Sequence, residues 1–211
     1  MIKMLCFVSL LFYCTNSRAQ YPGYVLVRQP EAFKKSFAGA TAKTESIRSD
    51  FVQEKFLTIL TEKIVSKGKF CYRRKDKLRM EYTEPYSYLM ILNTGKIFVR
   101  DGQKENKFST SSNKIFQQVS RILIDCVSGT MLDNSDFQSR IFENGSTFLL
   151  ELKPHVKNLR ELYKNINIAI DKKDFSAATI EMYELSGDKT IIRFQNKELN
   201  APIPDSLFNI P

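Results

Sequence analysis

The sequence predicts an α+β fold: one domain on an open, strongly curved antiparallel sheet of about ten strands, an incomplete β-barrel, with helices at two points. Three observations predict it. Apolar and polar residues alternate with a period of two along most of the chain. Turn-forming residues punctuate those runs at Lys75-Asp76, Asp101-Gly102, Asn144-Gly145 and Ser186-Gly187-Asp188. Apolar residues at helical spacing fall within residues 30–44 and 113–127. The strand runs taken alone also allow a closed, lipocalin-like barrel.

Residues 1–19 read as a secretory signal rather than as part of the fold. Lys3 supplies the positive start, Met4 to Tyr13 a short apolar core, and Ser17-Arg18-Ala19 a small-x-small cleavage site. That core is too short to span a bilayer comfortably. Cys14 raises the alternative of a lipid-modified N-terminus, but Tyr13 is bulky where that processing needs a small residue, so cleavage after Ala19 is preferred. Removing Lys3 and Arg18 lowers the formal charge from +9 to about +7. Residues 20–211 then form one domain, with no long linker or internal repeat to divide them. The residual positive charge either forms a solvated basic face without a partner, the commoner case, or favours transient contact with anionic membrane surfaces. Nucleic acid is not expected as a partner of an exported chain.

The first helix, over residues 30–44, starts near Pro30 and repeats Phe33, Phe37 and Ala40 on one side. Residues 46–56 become strand-like, with Ile47, Ser49, Phe51 and Gln53 sharing a face. Two runs, 64–74 and 77–83, then form a hairpin. Phe70, Tyr72 and Arg74 share a face of the first run, and Leu78, Met80 and Tyr82 share a face of the second; lysines, arginines, Cys71 and Glu81 take the opposite sides. Arg74 breaks the pattern, because a guanidinium facing an apolar layer costs several kcal/mol unless its donors find acceptors. Either it lies at the strand end with its head in water, or it reaches carbonyl oxygens on whatever covers this face.

Pro85 ends the hairpin. Ser87 to Asn93 is a strand apolar on both sides through Leu89, Met90, Ile91 and Leu92, as suits one covered on both faces. Shorter strands follow at 96–100 and 104–109. Residues 113–127 form an amphipathic helix with Ile115, Phe116, Val119, Ile122, Leu123 and Cys126 on one stripe, capped by Ser111 or Ser112 and stopped at Gly129. Asp136 to Glu143 and Ser146 to Lys153 are joined by Asn144-Gly145, a type I′ hairpin signal. A connection with one helical turn spans 154–163, and strands at 165–171, 177–185 and 190–197 complete the chain. Cys71 and Cys126 remain after the signal is removed; they are either bridged, as an oxidising compartment permits, or buried free thiols.

Gly68-x-Phe70-x-x-x-Arg74, a two-residue turn, an alternating strand and Thr83-x-Pro85 resemble the core motif of the periplasmic outer-membrane lipoprotein carriers, the LolA-like family. Phe51-Val-Gln53 resembles the family's first-strand F-x-Q, and Asn93-Thr-Gly95-Lys-Ile-Phe-Val its later strand entry. Ile192-Arg-Phe194, with Asn200-x-Pro-Ile-Pro-Asp-Ser-Leu-Phe208, resembles its closing strand and tail. Two departures stand out: Lys75 where the family often has Pro, and Met80 where it prefers Trp. The resemblance implies a helical lid over the concave face of the sheet, enclosing an apolar cavity. It implies that Arg74 latches the lid, and the shared apolar faces of strands and helix then assign Phe51, Phe70, Tyr72, Leu78, Met80, Tyr82, Ile115, Val119, Ile122 and Leu123 to the cavity lining. It further implies a monomeric periplasmic carrier that takes acylated lipoprotein from an inner-membrane export complex to an outer-membrane acceptor, without a cofactor.

Catalytic chemistry finds little to build on. The sequence holds one histidine, His155, in an apparent loop, and it lacks a Gly-rich phosphate loop, a C-x-x-C and a G-x-S-x-G motif. An enzyme or metal site is therefore not expected. Two other readings keep the fold: a carrier of another amphiphile, such as a glycolipid or lipid-linked pigment, and a periplasmic lipid-sensing regulator.

Overall fold

The computed structural model describes residues 20–74, 76–109 and 114–211, with the side chains of 114–119 and 133 outside the description. The signal read over residues 1–19, the turn residue Lys75 and the Ser111 or Ser112 cap lie outside the described residues.

The elements follow in chain order as β1 (Val25–Leu26), α1 (Glu31–Ala42), β2 (Ser46–Phe56), β3 (Ile64–Arg73), β4 (Lys77–Glu84), β5 (Tyr88–Asn93), β6 (Lys96–Asp101) and β7 (Lys104–Ser109). Then come α2 (Lys114–Ser128), β8 (Phe137–Glu143), β9 (Thr147–Pro154), α3 (Lys157–Arg160), β10 (Tyr163–Asp171), β11 (Ala177–Glu184) and β12 (Lys189–Leu199). All twelve strands form one sheet in the order β1-β8-β9-β10-β11-β12-β2-β3-β4-β5-β6-β7. Every pairing is antiparallel. The sheet ends at β1 and β7 without joining them, so it is the open form and not the closed barrel that the strand runs also allowed.

The alternation fixes which side chains face inward. On β2 and β3, Ile47, Phe51, Phe70 and Tyr72 join the main core, while Cys71 faces the other way. Gly68 is required where it stands: a Cβ there would lie 2.1 Å from the Glu81 carbonyl oxygen and 2.7 Å from the Phe51 ring. The hairpin strand can therefore accept Phe51 across it only without a side chain. β5 is covered on both faces, Met90 and Leu92 in the main core and Leu89 and Ile91 in a second cluster.

That second cluster sits on the convex face under the C-terminal tail, whose Ala201, Ile203 and Phe208 pack on Cys71, Leu89, Ile91 and Phe98. The tail is held by side chains donating to its carbonyls: Arg48 to Pro202, Arg73 to Ile203, Arg79 to Leu207 and Asn93 to Phe208. Cys126 belongs to the main core, so the two thiols lie on opposite faces of the sheet and both are free and buried. Of the two readings of the pair, the free thiols hold.

α1 buries Phe33, Phe37 and Thr41 along one stripe. Phe33 stacks on Phe37 at 5.4 Å between ring centres and tilts against Phe148 at 4.4 Å. α2 buries Ile122, Leu123, Cys126 and Val127 against the concave face. The two helices meet at Gly129, which ends α2 with φ +80 and whose absent Cβ would lie 2.2 Å from Thr41 Oγ1. Positive φ and a helix in contact both demand glycine there.

On the convex side of β8–β10 the N-terminal segment lies over Glu151, which is only 2% exposed. Gln20 Nε2 and Tyr21 Oη each donate to Glu151 Oε1 at 2.7 Å, and Arg140 Nε donates to Oε2 at 2.6 Å. A buried carboxylate is tolerable because every lone-pair direction in use meets a donor.

Two details differ from expectation. β1 adds a strand of two residues that no pattern announces. The β8–β9 hairpin is present, but neither Asn144 nor Gly145 has positive φ, so its turn is not type I′. Asn144 Oδ1 instead accepts the main-chain N–H groups of Ser146 and Thr147, a side-chain-closed turn that a negative φ permits.

Candidate apolar cavity beneath the second helix

Between α2 and the concave face lies a cavity of about 180 Å³. Met80 and Tyr82 of β4, Tyr88 and Met90 of β5, Ile180 and Met182 of β11, Ile192 of β12 and Gln53 of β2 form its sheet wall, and Ile122 and Leu123 of α2 its roof. Cross-strand register brings the wall together, since Met80 pairs with Met90, Tyr82 with Tyr88 and Ile180 with Ile192. Three methionines give this wall unbranched, adaptable side chains.

Its polar side chains are Gln53, Tyr82 and Tyr88, and the first two pair. Tyr82 Oη donates to Gln53 Oε1 at 2.9 Å. The Tyr82 ring is fixed edge-on between Phe51 at 4.9 Å and Tyr88 at 5.4 Å. Burial pushes the Tyr82 phenol well above its usual range, with Tyr88 adding a smaller effect, so it stays a neutral donor. The cavity is thus uncharged along its wall.

Volume limits what it holds in this form. Sites for sizeable ligands occupy roughly 300–1,000 Å³, and a dry apolar cavity of about 150 Å³ suffices for benzene. At about 180 Å³ the space suits a ring or a short chain, and a long acyl chain requires α2 to move away from the sheet.

Of the residues expected to line a cavity, Met80, Tyr82, Ile122 and Leu123 do so. Phe51, Phe70, Tyr72 and Leu78 are buried in the packed core on the same face. Ile115 and Val119 lie on α2, and their side chains are outside the described residues. Tyr88, Met90, Ile180, Met182 and Ile192 join the wall without a sequence signal of their own having marked them. A signal for the first two exists, as the cross-strand partners of Tyr82 and Met80.

Arg74 stands just beyond β3 at the opposite end of the sheet from Gln53 and Tyr82. Its Nη2 donates to the Thr41 carbonyl in the last turn of α1 at 2.7 Å, and its Nη1 lies 3.5 Å from the Glu45 carboxylate. Its main-chain N–H donates to the Glu45 carbonyl at 2.8 Å. The head group is 37% exposed, so it is both part-solvated and bound to a carbonyl. Thr41 therefore joins three elements: β3 through Arg74, α1 as a member, and α2 through Gly129.

Among the described residues no group of three or more His, Cys, Asp or Glu side chains is arranged to hold a metal ion. Nor is any described helix long and apolar enough to cross a membrane.

Residues 42–211 match the family model described as outer membrane lipoprotein carrier protein LolA. No curated protein matches the sequence. The fold is similar to that of an uncharacterized conserved protein from Thermus thermophilus, at 6% identity and TM-score 0.51, over 87% of this chain and 95% of that one. It is similar to a chain in the MucA/MucB complex structure of Pseudomonas aeruginosa, at 11% identity and TM-score 0.51, over 85% of this chain and 60% of that one. A LolA superfamily protein from Nitrosomonas europaea is 11% identical with TM-score 0.44, over 84% of this chain and 97% of that one. At such identities the likeness is one of fold.

Proposed function

We propose that this chain, which belongs to the LolA family of outer membrane lipoprotein carrier proteins, binds the acyl chains of lipoproteins in its concave face and shuttles them through the periplasm from inner to outer membrane. The observation that carries this reading is the uncharged, methionine-rich cavity between a curved sheet and an amphipathic helix. An acyl chain gains about 0.8 kcal/mol per CH₂ removed from water, so one long chain supplies roughly 10 kcal/mol toward opening the cover and staying bound.

Entry of cargo separates α2 from the wall residues Met80, Met90 and Met182, and these flexible side chains repack against the chain that replaces the helix. Arg74 acts as the latch at the root of the cover through the Thr41 carbonyl. One charge-assisted hydrogen bond to a part-exposed arginine is strong enough to bias the closed form and weak enough for a membrane partner to undo. The signal read over residues 1–19 delivers the chain to the periplasm, and an inner-membrane exporter and an outer-membrane acceptor are the partners this route requires.

Native mass spectrometry of the protein purified from its own periplasm, with organic extraction of what is bound, tests the proposal. A co-purifying acylated peptide or lipoprotein supports it. A glycolipid or pigment lipid retains the carrier and changes the cargo. An empty protein that also fails to bind a fluorescent acyl-chain probe overturns it.

A further inference from the structure

Nine large apolar side chains stand exposed among the described residues, and seven of them lie at one end of the sheet. Ile59 is 87% exposed, Tyr86 80% and Leu185 60%, and Phe56, Leu60 and Ile64 are close by. They come from three neighbouring connections, the β2–β3 loop, the β4–β5 turn and the β11–β12 turn, and from the ends of β2 and β3 beside the first. Sheet order makes them adjacent, since β12, β2, β3 and β4 are consecutive neighbours.

The tip is built to stand out. Asp188 Oδ1 accepts the main-chain N–H of Thr58 at 2.8 Å and its hydroxyl at 3.1 Å, tying the β2–β3 loop to the β11–β12 turn. Leu60 N–H donates to the Leu57 carbonyl, folding the loop on itself so that Ile59 stands at its crest. A surface that orders a loop in order to expose isoleucine, leucine and tyrosine calls for an apolar environment on the other side.

The cavity lies toward this same end. Gln53, Tyr82, Tyr88 and Met182 line it and lie within three residues of the ends of β2, β4, β5 and β11 at this rim. Charges beside the apolar tip are balanced: Lys63 pairs with Glu54, Lys67 with Glu84 and Lys189 with Glu181. Attachment there must accordingly come from apolar insertion, helped only diffusely by the formal charge of about +7 that is left when Lys3 and Arg18 are removed with the signal.

We propose that this rim is a membrane-contact surface: Ile59, Leu60, Tyr86 and Leu185 enter the headgroup region of a lipid bilayer and set this end of the cavity against it. The bilayer is favoured over a protein partner because the apolar groups crown a protruding loop beside a tyrosine and lysines, the composition of an interfacial anchor. Its purpose rests on the carrier reading, since an acyl chain handed over by a membrane-embedded partner at this rim never crosses open water.

Flotation of the protein with vesicles of phosphatidylethanolamine and phosphatidylglycerol tests it, alongside solution binding of a fluorescent acyl-chain probe. The wild type should float, and still do so in high salt. Ile59→Ser with Leu60→Ser should weaken partitioning by about tenfold for each side chain at an unchanged melting temperature. Val25→Ser with Leu26→Ser, the exposed pair at the far β1 edge, should float like the wild type. Failure of the wild type to float, abolition by salt, or equal loss in both double variants would overturn the proposal. Flotation lost in Ile59→Ser/Leu60→Ser with probe binding kept supports the rim as a separate surface. Flotation kept in a protein that never binds the probe leaves the rim standing and fails the carrier reading instead.

Discussion

Replacing Arg74 by leucine should loosen the base of the helical cover while leaving the sheet folded. The bond at stake is Nη2 to the Thr41 carbonyl at 2.7 Å, a charge-assisted contact of a kind that contributes about 1.5–3 kcal/mol when shielded. Its head group is 37% exposed, which puts it near the lower end. The 3.5 Å approach to Glu45, itself 68% exposed, adds roughly 0–1 kcal/mol. The main-chain bond from Arg74 to Glu45 survives the change. A net loss of about 1–2 kcal/mol multiplies the open population of α1 by roughly 5–30. Native-state hydrogen exchange reads this directly: amides in the second half of α1 should exchange faster by that factor, while those of β10 and β11 keep their wild-type protection. Arg74→Lys should fall between, because an ammonium can reach one carbonyl but cannot also span to Glu45. Unchanged exchange in α1, or an equal rise across the whole sheet, would refute the reasoning.

Gly129→Ala should destabilise the protein by about 2–3 kcal/mol in urea unfolding, because φ is +80 and the new methyl would meet Thr41. Both cysteines should resist thiol reagents in the native protein and react together on denaturation, since burial raises the pKa of each and they lie on opposite faces; non-reducing electrophoresis should show no internal bridge. Alkaline stability should depend on Tyr21. Burial and then its hydrogen bond to Glu151 push the phenol up to about 12, above its unfolded value of 10.0. The folded state holds this proton more tightly, so the contribution is complete below pH 10 and is lost as pH climbs from there toward 12. Tyr21→Phe should be less stable at neutral pH but lose less between those limits, as thermal melts at stepped pH will measure.

Much of the architecture is legible in the sequence because period-two alternation is a local property. Leu89 to Leu92 announce a strand covered on both faces, and the structure puts a separate apolar cluster on each. Arg74 is legible as an anomaly for the same reason: one charge in an apolar row. What stays hidden depends on depth along a strand. Phe70 and Met80 share a face, yet Phe70 packs against Phe194 at 5.1 Å while Met80 borders open space. No periodicity separates the two, because the difference comes from which side chains of other strands fill the concave face at each depth. β1 is hidden because a two-residue strand has no period, and exists only through its pairing with β8. The turn at Asn144 departs from its dipeptide signal because that signal concerns backbone angles, and here the asparagine side chain closes the loop instead.

The strand order carries a consequence for how the molecule comes to exist. β12, the last strand, lies at the middle of the sheet, pairing with β2 so that Phe194 faces Phe51. The hairpins from β2 to β7 are local and can form early, as can those from β8 to β11. Until residues 189–199 are available, however, each stack keeps one long inner edge unpaired and neither can close over the other. Such a topology concentrates non-local contacts in a single late event, which slows folding and leaves an open edge exposed in the meantime. The strand that is made last joins two half-sheets into one hollow, so neither half is locked in place before β12 has formed.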